Sequence, residues 1–159
     1  MSGAIRERCG GEKNLMILGI ANGGIELARR IAGNISARTG VLDVSFHRDD
    51  IGRHPIPKEF APTVIPGDVT GATIVLVDDV LFSGRTVNAA LNELFDHGRP
   101  ARVELAVLID RNERRLPVVA NYVGFPLPVP GGTKVVVKLD PEKPSRDSVS
   151  IVPRSNYRS

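Results

Sequence analysis

Two acidic residues stand side by side at the end of an apolar run, and a turn rich in hydroxyls and glycine follows. The run is Ile74-Val75-Leu76-Val77, the acids are Asp78 and Asp79, and Val80-Leu81-Phe82 lead into Ser83-Gly84-Arg85-Thr86. An apolar strand that ends in this way delivers both carboxylates to the edge of a crevice. Adjacent acids there repel each other and are poorly solvated, so a purely structural role is not expected. As acceptors they suit the hydroxyls of a ribose. Ser83, Gly84 and Thr86 bring the chain to a helix N-terminus, where free N–H groups and the positive end of the helix dipole suit a phosphate. Gly84 lets the backbone approach closely. One loop thus offers a ribose site and a phosphate site a few residues apart. The plainer alternative is an ordinary turn with Ser83 or Thr86 as N-cap, which leaves the acidic pair unexplained.

The elements that position this loop are legible in the hydrophobic pattern. Leu15 to Ile20 is a continuous apolar run, which reads as a strand buried on both faces. Gly23-Gly24 break it. From Ile25 to Ile35 the period changes, and Leu27, Ala28, Ile31 and Ile35 share one helical face. In Val41 to Phe46 apolar and polar residues alternate, the pattern of a half-buried strand. Thr73 to Val77 is a buried strand ended by the acidic pair. Val87, Ala90, Leu91, Leu94 and Phe95 then mark an amphipathic helix, with His97 in its last turn, Gly98 as its C′ residue and Pro100 beyond. Arg102 to Ile109 is a further strand, and Lys134 to Leu139 and Val149 to Val152 are later ones. Alternating strands and helices predict an α/β fold with a largely parallel sheet, whose ligands bind beyond the carboxyl ends of the strands. That singles out the loops at 20–24, 47–67 and 78–86. The loop at 47–67, with Pro55, Pro57, Pro62 and Pro66, has no sustained period and reads as a lid over about residues 50–66. A loose tail is expected from Pro153.

The bulk properties exclude several classes. With 159 residues the chain fits one domain, 1–159. Its 42% hydrophobic content and net charge of +3 are those of a globular protein, not of a disordered one. The single cysteine, Cys9, excludes a disulfide framework. No apolar run is long enough for a membrane span and no secretory leader is evident, so a cytoplasmic location is expected. Aromatic residues are 4% and Trp is absent, which argues against a base-stacking surface for single strands. His47, His54 and His97 lack metal-ligand spacing.

The segment from Ile74 to Thr86 resembles the phosphoribosyl diphosphate (PRPP) motif of the type I phosphoribosyltransferases. Ala89-Ala90-Leu91, Gly98-Arg99-Pro100-Ala101, Leu105 to Arg111, and Leu42 to Asp50 narrow the resemblance to the PyrR-type uracil phosphoribosyltransferases, from about Leu15 to Tyr122. The resemblance implies the type I fold, a mostly parallel sheet flanked by helices with a flexible lid and a small hood. It implies transfer of a phosphoribosyl group from PRPP to uracil, giving UMP and pyrophosphate, with Mg²⁺ arriving on the PRPP. It assigns Asp78 and Asp79 to the ribose hydroxyls. The turn of Leu81, Phe82, Ser83, Gly84, Arg85 and Thr86 takes the 5′-phosphate, and the loop of Ala21, Asn22 and Gly23 takes pyrophosphate. Arg48, Arg53 and Lys58 would close over the pyrophosphate from the lid side. Arg111 would sit by the nucleobase with the backbone near Val123 and Gly124. Many members of that family carry Thr-Arg where this chain has Asn22-Gly23, which removes a bidentate phosphate donor. Some members also regulate pyrimidine operons by binding RNA, and an RNA-binding regulator that senses UMP is the alternative reading. Here Glu113 and Val119 replace expected basic residues, so a solvated charged turn is preferred for Arg111 to Arg115. Uracil is favoured over a purine only by the wider resemblance. A homo-oligomer is expected on the same ground.

Overall fold

The structure, a computed structural model, describes residues 1–45 and 62–153. Phe46, His47, Arg48, Arg53, His54, Lys58 and most of the expected lid lie outside the described residues.

A short helix α1 (Ser2–Cys9) precedes strand β1 (Leu15–Ile20), helix α2 (Ile25–Ile35) and strand β2 (Arg38–Leu42). Then come β3 (Thr73–Leu81), α3 (Arg85–Asp96), β4 (Arg102–Asp110) and β5 (Tyr122–Pro126). The chain ends in β6 (Thr133–Lys138), a 3₁₀ turn (Pro144–Arg146) and β7 (Ser148–Pro153). The first five strands form one parallel sheet in the order β2-β1-β3-β4-β5, and β6 and β7 form a separate antiparallel pair.

The continuous apolar runs follow from burial on both faces of this sheet. Met16, Leu18, Ile20, Ile74 and Leu76 pack with Val87, Ala90 and Leu94 of α3. Leu15, Ile17, Val75 and Val77 pack on the other face with Leu27, Ala28 and Ile31 of α2 and Ile5 of α1. Even-numbered and odd-numbered residues of β1 and β3 thus face opposite helical layers, as the period of a strand requires.

Three expectations are corrected. β2 starts at Arg38 and ends at Leu42, because its ladder with β1 runs from Met16↔Arg38 to Ile20↔Leu42 and stops where β1 turns away. Asp43 and Val44 beyond it are both buried, so the apolar-polar alternation there is not that of a half-buried strand. β3 runs through Asp78 and Asp79 to Leu81, because pairing with β4 continues to Leu81↔Asp110. Phe95, expected on the apolar face of α3, is 40% exposed, and Ala89 is buried in its place. The strand β5 escapes a reading of period because only Tyr122 in it is buried.

The later part of the expected lid region is anchored. Val64 forms an antiparallel bridge with Val41, and the Thr63 hydroxyl accepts the Asp43 N–H at 3.0 Å and donates to Glu93 at 2.6 Å. The β6–β7 pair is tied to α2 through Arg30, which holds Asp147 at 2.5 Å and donates to the Asp140 carbonyl at 2.7 Å. That guanidinium holds the Asp147 carboxyl below the usual range.

A buried polar cluster fastens α1 to the amino ends of β4 and β5. The carboxylate of Glu104, 3% exposed, accepts the Tyr122 hydroxyl at 2.5 Å and the Cys9 thiol at 3.4 Å, and pairs with Arg8 at 2.8 Å. Burial alone pushes the Glu104 carboxyl up. The hydroxyl, the thiol and the charges of Arg8 and Arg102 outweigh it and hold the group below its ordinary value. A lowered carboxyl contributes stability that is present above its unfolded value and lost as pH falls through its folded one. Glu104→Gln is therefore expected to lower the unfolding temperature most at neutral pH, with the gap closing below about pH 4. Tyr122→Phe should destabilise by about 1–3 kcal/mol. Thermal melts of both variants from pH 3 to 8 check this, and a gap that does not change with pH would count against it.

Candidate active site

The strand order reverses direction at β1 and β3. β1 leads through α2 outward to β2, whereas β3 leads through α3 the opposite way to β4. Helices from the two connections pack on opposite faces, so the carboxyl ends of β1 and β3 leave a crevice between them, the place where open α/β sheets bind ligands. The loop of residues 21–24 and the turn of residues 82–84 meet there.

The first loop is pinned at both ends. The Ala21 N–H donates to the Leu42 carbonyl at 2.9 Å, the Gly24 N–H to Ile20 at 2.9 Å and the Ile25 N–H to Asn22 at 3.3 Å. The Ala21–Asn22 peptide is cis. Asn22 and Gly23 are exposed, while Gly24 is buried against β3. A Cβ on Gly24 would collide with the Val77 carbonyl oxygen and lie 2.8 Å from the Ile20 nitrogen. A Cβ on Gly23 would stand 2.6 Å from Oδ1 and 2.7 Å from Oδ2 of Asp79. The Asp79 carboxylate thus lies directly across from the backbone of the first loop. Glycine inside or just after a buried strand is a sequence signal for such a close approach, and Gly24 is the residue that signal identifies beyond the predicted set.

Asp78 and Asp79 occupy neighbouring positions of a paired strand, so their side chains leave opposite faces of the sheet. Asp79 follows the odd-numbered residues toward α2 and Gly23. Asp78 follows the even-numbered ones, is 6% exposed, and its Oδ1 accepts the Asp79 N–H at 2.9 Å. The expected crowding of two adjacent carboxylates at one point is therefore corrected: the pair brackets the edge of the sheet.

The turn after β3 rests on the segment that follows β4. The Leu81 carbonyl accepts the Arg111 N–H at 3.0 Å, and the Ser83 carbonyl accepts those of Arg115 at 3.0 Å and Leu116 at 3.2 Å. Gly84 adopts φ +88°, where a side chain is strained, and its Cα faces Leu116 and Val118. It is the N-cap of α3, and no side chain caps that helix. The Ser83 hydroxyl instead accepts the Arg85 N–H at 3.3 Å. The N-cap position is thus Gly84 rather than Ser83 or Thr86, and the Ser83 hydroxyl serves the first N–H of the helix from one residue before it. Leu81 is 1% exposed, so its side chain belongs to the core. The floor formed by Leu116 and Val118 has no local sequence signal, because the contact joins segments over 30 residues apart.

The register sorts the expected nucleobase residues into two levels. Asp78 pairs with Val107, which pairs with Val123, so Val123 and Gly124 stand level with the acidic pair, with β4 between. Two strand spacings make that separation roughly 10 Å. Arg111 stands one level further out. It follows Asp110, which pairs with Leu81 on one side and Pro126 on the other. The structure therefore brings Arg111 to Phe82 rather than to Val123. Its guanidinium lies 4.5 Å over the Phe82 ring. Among the described residues, no group of three or more His, Cys, Asp or Glu is arranged to hold a metal ion.

Comparison with known proteins agrees with this fold. A family model described as the phosphoribosyl transferase domain matches residues 1–137. The Bifunctional protein PyrR of Streptomyces coelicolor is 48% identical over 152 residues, covering 91% of this chain and 78% of that protein. The Bifunctional protein PyrR of Chloroflexus aurantiacus is 47% identical over 142 residues, covering 85% and 78%. Among solved structures, a hypoxanthine-guanine phosphoribosyltransferase from Bacillus anthracis superposes with a TM-score of 0.63 at 21% identity, covering 80% of this chain and 75% of that one. A purine phosphoribosyltransferase from Pyrococcus horikoshii gives 0.58 at 26% identity, covering 78% and 75%. With the parallel sheet, the glycine loop against Asp79 and the turn after β3 in place, the chain belongs to the phosphoribosyl transferase domain family and, within it, with the PyrR proteins.

Proposed function

We propose that this chain transfers the phosphoribosyl group of PRPP to uracil, releasing UMP and pyrophosphate. The observation that carries the proposal is the placement of the Asp79 carboxylate against the Gly23 backbone at the point where the sheet reverses direction. A ribose held by the acids then has its pyrophosphate beside the first loop and its 5′-phosphate beside the turn at 81–86. The C1′–oxygen bond to pyrophosphate breaks, a bond from C1′ to the uracil nitrogen forms, and that nitrogen loses its proton. Positive charge develops on the ribose ring as the leaving group departs. The carboxylates of Asp78 and Asp79 supply fixed negative charge near it and accept its hydroxyls. This is catalysis by positioning and electrostatics, with no covalent nucleophile. Mg²⁺ would arrive with PRPP as part of the substrate and would offset the negative charge of the departing pyrophosphate. Arg48 is proposed to add positive charge at the pyrophosphate.

The second reading, an RNA-binding regulator that senses UMP, is the alternative that the resemblance to PyrR-type proteins implies. The basic side chains after β4 are mostly engaged: Arg111 with Glu113, and Arg114 with Asp110 and Asn112. Arg115 is the exposed one. A single free arginine supports few phosphate contacts, and we place transfer first.

The test is product formation from PRPP and Mg²⁺ with uracil, hypoxanthine, guanine or orotate. UMP from uracil alone is expected. Product from a purine, or no product from any base, would overturn the assignment.

A further inference from the structure

Arg111 is 3% exposed, and each nitrogen of its guanidinium donates to a neighbour. Nε and Nη2 donate to Glu113 Oε1 at 3.1 and 2.6 Å, and Nη1 donates to the Thr133 carbonyl at 2.9 Å. The plane lies 4.5 Å over the ring of Phe82, in the turn between β3 and α3. Thr133 is the first residue of β6, and its hydroxyl donates to the Pro130 carbonyl at 2.7 Å. One side chain therefore touches the turn after β3, the loop after β4 and the start of the β6–β7 pair. Its main-chain N–H adds a fourth tie, to Leu81 at 3.0 Å.

We infer that Arg111 is a positioning residue that acts through Phe82 and Thr133, holding the phosphate turn and the start of β6 in a fixed relation. Naming the turn a phosphate site rests on the function proposed above; the mechanical link does not. The chemistry of the group fits the task. A planar guanidinium stacks on a ring and donates in its own plane at the same time, which a lysine ammonium does not do. Glu113, half-exposed at the loop, fixes the plane from one edge and neutralises the buried charge. The register agrees, since Asp110 pairs with Leu81, which places Arg111 one residue further on, beside Phe82 and away from Val123.

The test uses the full chain with Arg111→Lys, Phe82→Leu and the double variant. The first readout is amide hydrogen exchange without ligand. Arg111→Lys is expected to speed exchange roughly tenfold in segments 81–86 and 130–136, with β1 unchanged. Unchanged exchange in those segments, or equal acceleration in β1, would overturn the inference. The second readout is kinetic. The KM for PRPP is expected to rise about tenfold in Arg111→Lys with kcat altered less than about threefold, which a fall in the folded fraction alone does not produce. The double variant should lose little more than either single one, because the two residues act as one unit. Losses that multiply, or a rise confined to the KM for uracil, would overturn it. A wild-type chain without turnover would remove the proposed function, while the exchange experiment still decides the role of Arg111.

Discussion

Gly24→Ala is expected to cost a large share of the stability of the fold. The first turn of α2 lies directly on β1 and β3, and a methyl at this position has no free volume. It would enter the Val77 carbonyl oxygen and come within 2.8 Å of the Ile20 nitrogen. Both obstacles are main-chain atoms of the central strands, so relief requires moving the helix off the sheet rather than turning a side chain. Gly19 sits under the same contact, with a Cβ there lying 2.8 Å from the Gly24 carbonyl oxygen and the Ile25 Cα. Overpacking against backbone should destabilise by about 3 kcal/mol or more, a large share of the roughly 5–15 kcal/mol that holds a domain folded. Gly33→Ala in the same helix is the control. Nothing lies within 4 Å of its added Cβ, and removing a mid-helix glycine should stabilise by about 0.5–1 kcal/mol. Urea unfolding of both variants measures the difference. A Gly24→Ala midpoint close to that of the parent would show that α2 does not sit on β1 and β3 as described.

Asp79→Asn is expected to keep the fold and lose turnover by about 10²–10³-fold. Asn has the shape of Asp, so the contact over Gly23 survives and the unfolding temperature should change little. On the proposed mechanism, what disappears is a fixed negative charge beside the bond that breaks. The loss should appear in kcat and in kcat/KM together, as expected for an interaction that strengthens as charge develops on the ribose. Gly23→Ala approaches the same atoms from the other side. Its Cβ would stand 2.6 Å from Asp79 Oδ1, and the carboxylate, the free end of a side chain, is able to swing away. Stability should therefore fall far less than in Gly24→Ala, while the KM for PRPP rises. Steady-state kinetics with PRPP and uracil varied in turn separate these effects. Turnover of Asp79→Asn within about threefold of the parent would remove Asp79 from the catalytic role.

The sequence was informative where the governing pattern is local. β1 and α2 occur with the boundaries read from the hydrophobic period, Leu15–Ile20 and Ile25–Ile35, because burial on two faces or on one helical stripe writes itself into consecutive residues. Gly98 follows the α3 C-cap His97 at φ +149°, in keeping with its reading as the C′ residue. The acidic pair and the glycine turn were visible for the same reason. β5 carries almost no pattern in the sequence, since it is an edge strand with one buried residue. β2 was displaced because its limits depend on where β1 stops pairing.

By its residue types and their order alone, then, this sequence determines an α/β chain with an acidic pair and a phosphate-suited turn at one strand end, and a glycine loop at another. That much is local chemistry carried on local periodicity. Only the tertiary structure decides that β1 and β3 are neighbours, so that Gly23 meets Asp79 across a distance of 56 positions in the chain. Only it turns Asp78 and Asp79 to opposite faces, raises Val123 and Gly124 to the level of the acids, and sets Arg111 on Phe82 instead. Each of these depends on strand order and register, which hydrogen bonds between distant segments select and no run of neighbouring residues encodes.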